Sequence, residues 1–210
     1  MGKAWLISGL LALAGLWWGP LPQLARHAFS AHMAMHMGVV AIAAPFLAFG
    51  IAGSSFDPVR KWPALFPPIP ISVVELLVVW AWHAPALHQT ARHGVFGLVA
   101  EQGAFLLAGL LVWLSAFGGD PINRRGRAGA GVAALLLTSM HMTLLGALLA
   151  LTPRALYAHA GHLSNLTPLE DQHLGGAIML IVGGISYLAG GLWLTAGLVR
   201  GVATKSEATA

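Results

Sequence analysis

The segment Ala31-His32-Met33-Ala34-Met35-His36-Met37 sets two imidazoles four residues apart among three thioethers. Four residues is about one helical turn, so both rings point the same way, and imidazole with thioether is donor chemistry that suits copper, above all its reduced ion. Related groups follow along the chain: His83, His141 within Met140-His141-Met142, and His173 after Asp171-Gln172. His32, His36, His83, His141 and His173 are therefore the candidate metal ligands. Met33 and Met37 share one helix face while Met35 lies elsewhere, so only some thioethers can join such a site, and Met33, Met37 and Met140 are the candidates. Glu101, next to Gln102, and Asp171 can accept the second ring N–H of a metal-bound imidazole or take up a proton. Glu75 stands apart and suits snorkelling or capping near a helix end.

The elements that position these groups are membrane helices. The 210 residues are 57% apolar and only 9% charged, and long uncharged runs of this kind read as bilayer spans in an all-α polytopic bundle. Five spans are expected at roughly 32 to 52, 71 to 88, 94 to 117, 128 to 151 and 174 to 199, and a sixth at roughly 4 to 18. The first run, behind Lys3, also has the shape of a cleaved signal peptide, but Trp17-Trp18 before Gly19-Pro20 reads better as an interfacial anchor. Residues 1 to 210 form one domain. The absence of cysteine removes disulfides, thiolate metal sites and covalent haem attachment.

Basic residues set the expected orientation. With six spans and both termini inside, the inner segments carry Lys3, Arg60, Lys61, Arg124, Arg125, Arg127, Arg200 and Lys205, against Arg26, Arg92 and Arg154 outside. That bias matches the rule for short cytoplasmic loops. It also accounts for the net charge of +4 through topology and anionic lipid, leaving no case for nucleic acid. Nine of the ten histidines then fall at or near the outer face, with His141 alone deep. His27, His88, His93, His159 and His162 read as interfacial anchors or packing residues. Gly176, Gly183, Gly190 and Gly197 recur every seven residues as a seam for close helix packing. Ser54 to Pro70, with Pro58, Pro63, Pro67, Pro68 and Pro70, is a stiff cytoplasmic connection.

These motifs resemble the polytopic CtaG-type cytochrome c oxidase assembly proteins. The resemblance is carried by His32-Met33-Ala34-Met35-His36 followed by Ala44-Pro45-Phe46-Leu47-Ala48-Phe49-Gly50, and by Trp82-His83-Ala84-Pro85-Ala86-Leu87. It continues through Glu101-Gln102 with Phe105 and Trp113, then Leu144-Leu145-Gly146-Ala147-Leu148-Leu149-Ala150 and Asp171-Gln172-His173-Leu174-Gly175-Gly176, over about 32 to 185. It implies a non-enzymatic role in the bacterial inner membrane: building a haem-copper oxidase by helping copper reach or mature in it. Oxidase subunits, periplasmic copper chaperones and lipid are the implied partners. Members often have His directly after the glutamate matching Glu101, where this chain has Gln102, and many carry a further span.

Other chemistries are tested against the same residues. A b-type haem held between imidazoles of facing helices, such as His36 with His83 or His141, is the main alternative cofactor. A scaffold that binds no metal is another. A membrane metallohydrolase would need Glu directly after the first His of its helix motif, where Met33 stands. A transporter using Glu101 and Asp171 lacks polar groups reaching across the membrane.

Overall fold

In the computed structural model, which describes residues 2–157 and 166–207, the described residues form helices and connections without a strand. Helix α1 is Gly2–Trp18 and α2 is Phe29–Ile51, the latter interrupted by a π turn at Gly38–Ala43. Then come α3 (Pro68–His83), α4 (Pro85–His93), α5 (Val95–Phe117) and α6 (Pro121–Leu151). The last helix, α7, runs Pro168–Ile178, through a π turn at Met179–Gly183, into Gly184–Glu207. Single turns lie at Leu21–Leu24, Pro58–Lys61 and Pro63–Leu65.

Local chemistry explains the boundaries. Pro68, Pro85, Pro121 and Pro168 open four of the helices, the position where a missing N–H removes no helical hydrogen bond. Thr167 caps α7 by accepting from Glu170 N at 3.3 Å, while Glu170 Oε2 accepts from Thr167 N at 2.7 Å, a reciprocal capping box. In the proline-rich connection, the buried Asp57 accepts from Gly53 N, Val59 N and Gly119 N at 2.7–2.9 Å. That carboxylate ties the connection to the turn between α5 and α6, where Gly119 has φ +98°, a conformation open to glycine at little cost.

Among the described residues four helices are long and apolar enough to cross a membrane, Phe29–Ile51, Val95–Phe117, Gly126–Leu151 and Pro168–Arg200, and the bent pair α3–α4 makes up to five. The expected sixth span is helical but has 17 residues, about 26 Å at 1.5 Å per residue against a hydrocarbon core of about 30 Å. The expected span 71 to 88 is corrected most. Its helix stops at His83, and the chain bends by 70° into α4. Ala84, before Pro85, is held extended at φ −64°, ψ 131°, because the proline ring crowds out the helical conformation of the residue before it.

Helix α2 is the most buried of the spans. It packs against α1, α5 and α7, and α6 packs against α3, α5 and α7. Its π turn would leave carbonyls bare in an apolar interior, which a membrane protein cannot leave unsatisfied. Neighbouring helices supply the donors: Val40 O accepts from Trp113 Nε1 at 3.1 Å, and Ala41 O from Ser186 Oγ at 2.7 Å. The glycine seam is partly realised. A Cβ on Gly176 would lie 2.5 Å from Ala150 N, one on Gly183 3.2 Å from Met142 Cβ, and one on Gly190 2.7 Å from the Trp113 ring, whereas Gly197 faces open space.

Candidate metal centre

His32 and His36 are both fully buried, on one side of α2 just before its π turn. Their rings are near-parallel at 6.5 Å, as the four-residue spacing requires. From the end of α3, His83 joins them, with its ring centroid 6.0 Å from that of His32 and 5.2 Å from that of His36. Phe105 of α5 closes the group from below, 3.9 Å from His36 and 5.9 Å from His83 between ring centroids.

The bend at Pro85 brings in a fourth imidazole. Because α4 turns back instead of prolonging α3, His88 packs edge-on against His32 at 4.7 Å and is 1% exposed. Sequence reading placed His88 among the interfacial anchors. The signal that could have found it was Ala84-Pro85, since a break there redirects every residue that follows. His32, His88 and Glu101 each offer a ligand atom, and these atoms lie within 4.8 Å of one another. Glu101 Oε2 is 3.6 Å from His32 Nδ1 and accepts from Arg92 Nη2 and, at 3.4 Å, from Gln102 Nε2. Arg92 also donates to Ala25 O at 2.8 Å, pinning α4 across the cluster. Gln102, which stands where the resemblance led one to look for His, thus orients the carboxylate.

The donor set fits a metal ion. His83 Nδ1 lies 2.6 Å from Val79 O; a carbonyl only accepts, so Nδ1 carries the proton and Nε2 keeps its lone pair. A backbone carbonyl holding the far nitrogen is the usual support of a metal-bound imidazole. Among the described residues, His83 Nε2, both nitrogens of His32 and His36, and Glu101 Oε1 have no hydrogen-bond partner although buried. Buried polar atoms are normally satisfied, and so many orphans in one place call for a ligand. A cavity of about 490 Å³ between α3 and α6 reaches His83 past Leu148, Thr152 and Tyr157. Tyr157 donates to His83 O at 2.5 Å and stacks on Phe29 at 4.4 Å, and burial raises its phenol well above the ordinary value.

The remaining expected residues lie elsewhere. His141 is set deeper, with Nε2 3.9 Å from Glu75 Oε2. Glu75 neither snorkels nor caps: it is mid-helix, fully buried, and accepts from Tyr187 OH and Thr138 Oγ1. His173 Nε2 instead pairs with Thr152 O at 2.9 Å. Met33 and Met37 are buried against α7, where a Cβ on Gly175 would meet Met33 Cγ at 3.0 Å and one on Gly183 would meet Met37 Sδ at 3.5 Å. Met140 is 66% exposed on the outside of the bundle. His27 and His93 are exposed, and His159 and His162 lie outside the described residues.

Asp171 holds the helix that carries the pair. Its carboxylate accepts from Phe29 N at 2.5 Å, Ser30 N at 3.2 Å and Ser30 Oγ, so residue 171 of α7 caps the N-terminus of α2. Asp171→Ala is expected to cost about 2 kcal/mol, because it strands buried backbone donors. Thermal unfolding of the purified protein in detergent checks this, and an unchanged midpoint would remove Asp171 from that role.

The sequence matches the family described as Cytochrome c oxidase caa3 assembly factor (Caa3_CtaG) over residues 3–201. No curated protein and no solved structure matches it. With nearly the whole chain matched, the chain belongs to the cytochrome c oxidase caa3 assembly factor family.

Proposed function

We propose that this assembly factor binds copper as cargo at His32, His36, His83 and His88, with Glu101 beside them, and delivers it to a haem-copper oxidase during maturation. The observation that carries the reading is the convergence of four imidazoles from α2, α3 and α4 with partnerless ring nitrogens on three of them. Neutral imidazoles coordinate through lone pairs, and a nitrogen-rich set without thiolate suits copper. Glu101 supplies one negative charge to a cation, in competition with Arg92. Phe105 packs against His36 at 3.9 Å between ring centroids, so a porphyrin against His36 would have to displace that ring, and bare metal is favoured over a b-type haem.

The charge bias supports N-in and C-in topology, which places the cluster toward the outer face of a bacterial inner membrane. There it meets oxidase subunits and receives copper from periplasmic chaperones. Binding and handing over a cargo ion needs no chemical turnover, so the task proposed is non-enzymatic.

The test is copper content of the purified protein, with oxidase maturation in membranes, for wild type and the His32→Ala/His36→Ala double variant. The expected result is loss of most bound copper and of active oxidase, with protein levels maintained. Unchanged copper and unchanged maturation would overturn the assignment, and a red preparation with a Soret band would put haem in its place.

A further inference from the structure

Beyond the outer cluster, we infer that the bundle interior holds a second cation site between Glu75 Oε2 of α3 and His141 Nε2 of α6, for a divalent ion of the Zn(II) or Cu(II) kind. Both residues are buried, Glu75 fully and His141 at 5% exposure. Ionisable groups at such depth are costly and mark functional sites.

A cation at this place would offset the charge of a buried carboxylate. Glu75 Oε1 accepts from Tyr187 OH at 2.7 Å and Oε2 from Thr138 Oγ1 at 2.8 Å, two neutral donors from α7 and α6. Among the described residues no lysine or arginine bridges to Glu75, and His141 is the one basic side chain in ion-pair range. Neutral donors orient a carboxylate without cancelling its charge, and an uncompensated charge in a low-dielectric interior is strongly unfavourable.

The geometry points to what supplies the charge. His141 Nε2 stands 3.9 Å from Glu75 Oε2, too far for a hydrogen bond. Oxygen and nitrogen ligands lie about 2.0–2.2 Å from a tetrahedral zinc-like ion and so stand about 3.3–3.6 Å apart, and an ion here would draw Nε2 and Oε2 together by a few tenths of an ångström. Neither nitrogen of His141 has a hydrogen-bond partner among the described residues. An ion in the gap engages the lone pair of Nε2 and the free lone pairs of Oε2 together. Carboxylate, imidazole and hydroxyl oxygen form a harder donor set than the outer imidazole cluster, which selects Zn(II) or Cu(II) over Cu(I). On its outer side His141 borders a groove of about 730 Å³ between α3 and α6 that is lined mostly by apolar side chains, among them Val73, Leu76, Leu137 and Leu144.

The experiment uses the full chain in detergent, dialysed against buffered free Zn(II) and, separately, Cu(II). A His32→Ala/His88→Ala variant, which removes the two outer imidazoles grouped with Glu101, is expected to keep one ion per chain at the inner pair. Adding Glu75→Gln, which preserves shape and the acceptor for Tyr187, is expected to weaken that ion by more than about 100-fold, beyond the loss of a mere outer partner. Glu75→Gln in the otherwise unchanged protein leaves the outer ion in place, so failure here is distinct from failure of the outer site. X-ray absorption on the loaded His32→Ala/His88→Ala protein needs no change at Glu75 and is expected to read mixed oxygen and nitrogen ligation. The inference is overturned if that protein binds no ion, if Glu75→Gln keeps it, or if ligation is imidazole alone. It is equally overturned if the metal-saturated protein shows an infrared band of a protonated carboxyl that Glu75→Gln removes, since a proton then occupies the place of the cation.

Discussion

Gly176→Val is expected to cost at least about 3 kcal/mol, the upper end of the overpacking range, and to lower the yield of folded protein sharply. A Cβ there would sit 2.5 Å from Ala150 N, 2.7 Å from Gly146 O and 2.9 Å from Leu149 C, all backbone atoms that no rotamer change can move. The reciprocal view is the same, since a Cβ on Gly146 would meet Leu180 N at 2.7 Å and Gly176 O at 2.9 Å. Helices α6 and α7 therefore cross backbone to backbone, and any side chain must push them apart. Such approach is what small residues provide in membranes, where lipid removes the hydrophobic drive for helix association and close packing must supply it. The damage would reach the metal cluster, because Asp171, five residues before Gly176, caps the helix bearing His32 and His36. Gly197→Val is the control: nothing lies within 4 Å of its Cβ, and a change within about 0.5 kcal/mol is expected. Thermal unfolding followed by tryptophan fluorescence reads both. Equal behaviour of the two variants would show that the seam is not a contact at Gly176.

Glu101→Gln is expected to be the second severe change, destabilising by about 3–5 kcal/mol, the cost of leaving one partner of a buried ion pair behind. Glu101 is fully buried and Arg92 has a side chain 10% exposed, so neither charge is compensated by bulk water. Arg92 keeps one bond, to Ala25 O, after the change, and that bond does not neutralise a guanidinium. Removing both charges in Arg92→Gln/Glu101→Gln is expected to recover much of the loss, because the penalty lies in the uncompensated charge rather than in a missing attraction. A double-mutant cycle on unfolding midpoints measures the coupling. Additive single effects would mean that the two side chains do not form one buried pair. The result bears on copper as well: if Glu101 serves the cargo cation, Glu101→Gln reduces copper retention even where the fold survives.

How much of this was legible beforehand follows the nature of each signal. His32 and His36 could be placed side by side from spacing alone, because an α-helix repeats every 3.6 residues wherever it is packed. Four of the six expected spans, 32 to 52, 94 to 117, 128 to 151 and 174 to 199, could be drawn from hydropathy to within six residues. The helix starts at Pro85, Pro121 and Pro168 were not read from those prolines, and Ala84-Pro85 was taken as part of a continuous span. His88 was missed on that account, and His173 was grouped with the cluster through its place on the outer side rather than through any contact.

Side-chain direction across helices escaped such reading altogether. Glu75 was assigned to a helix end because a lone carboxylate in an apolar run belongs near water unless partners exist. Its partners, Thr138, His141 and Tyr187, lie 63, 66 and 112 residues away along the chain. The same holds for the methionines, whose shared face with one another could be inferred, while the choice between the cluster and α7 could not.

Composition and periodicity by themselves determined that this chain is an all-helical membrane protein and that two imidazoles share one face of a buried helix. The family's motifs, spread over most of its length, were equally plain. Only the tertiary structure decided which other groups meet that pair: His83 and His88 through the bend at Pro85, Glu101 held by Arg92 and Gln102, and Asp171 as a cap rather than a neighbour of the rings. The reason is physical. Helical periodicity and hydropathy are local properties of the chain, whereas the crossing of α6 and α7 at Gly146 and Gly176, the π turn after His36 and the bend between α3 and α4 combine contacts between residues far apart in sequence.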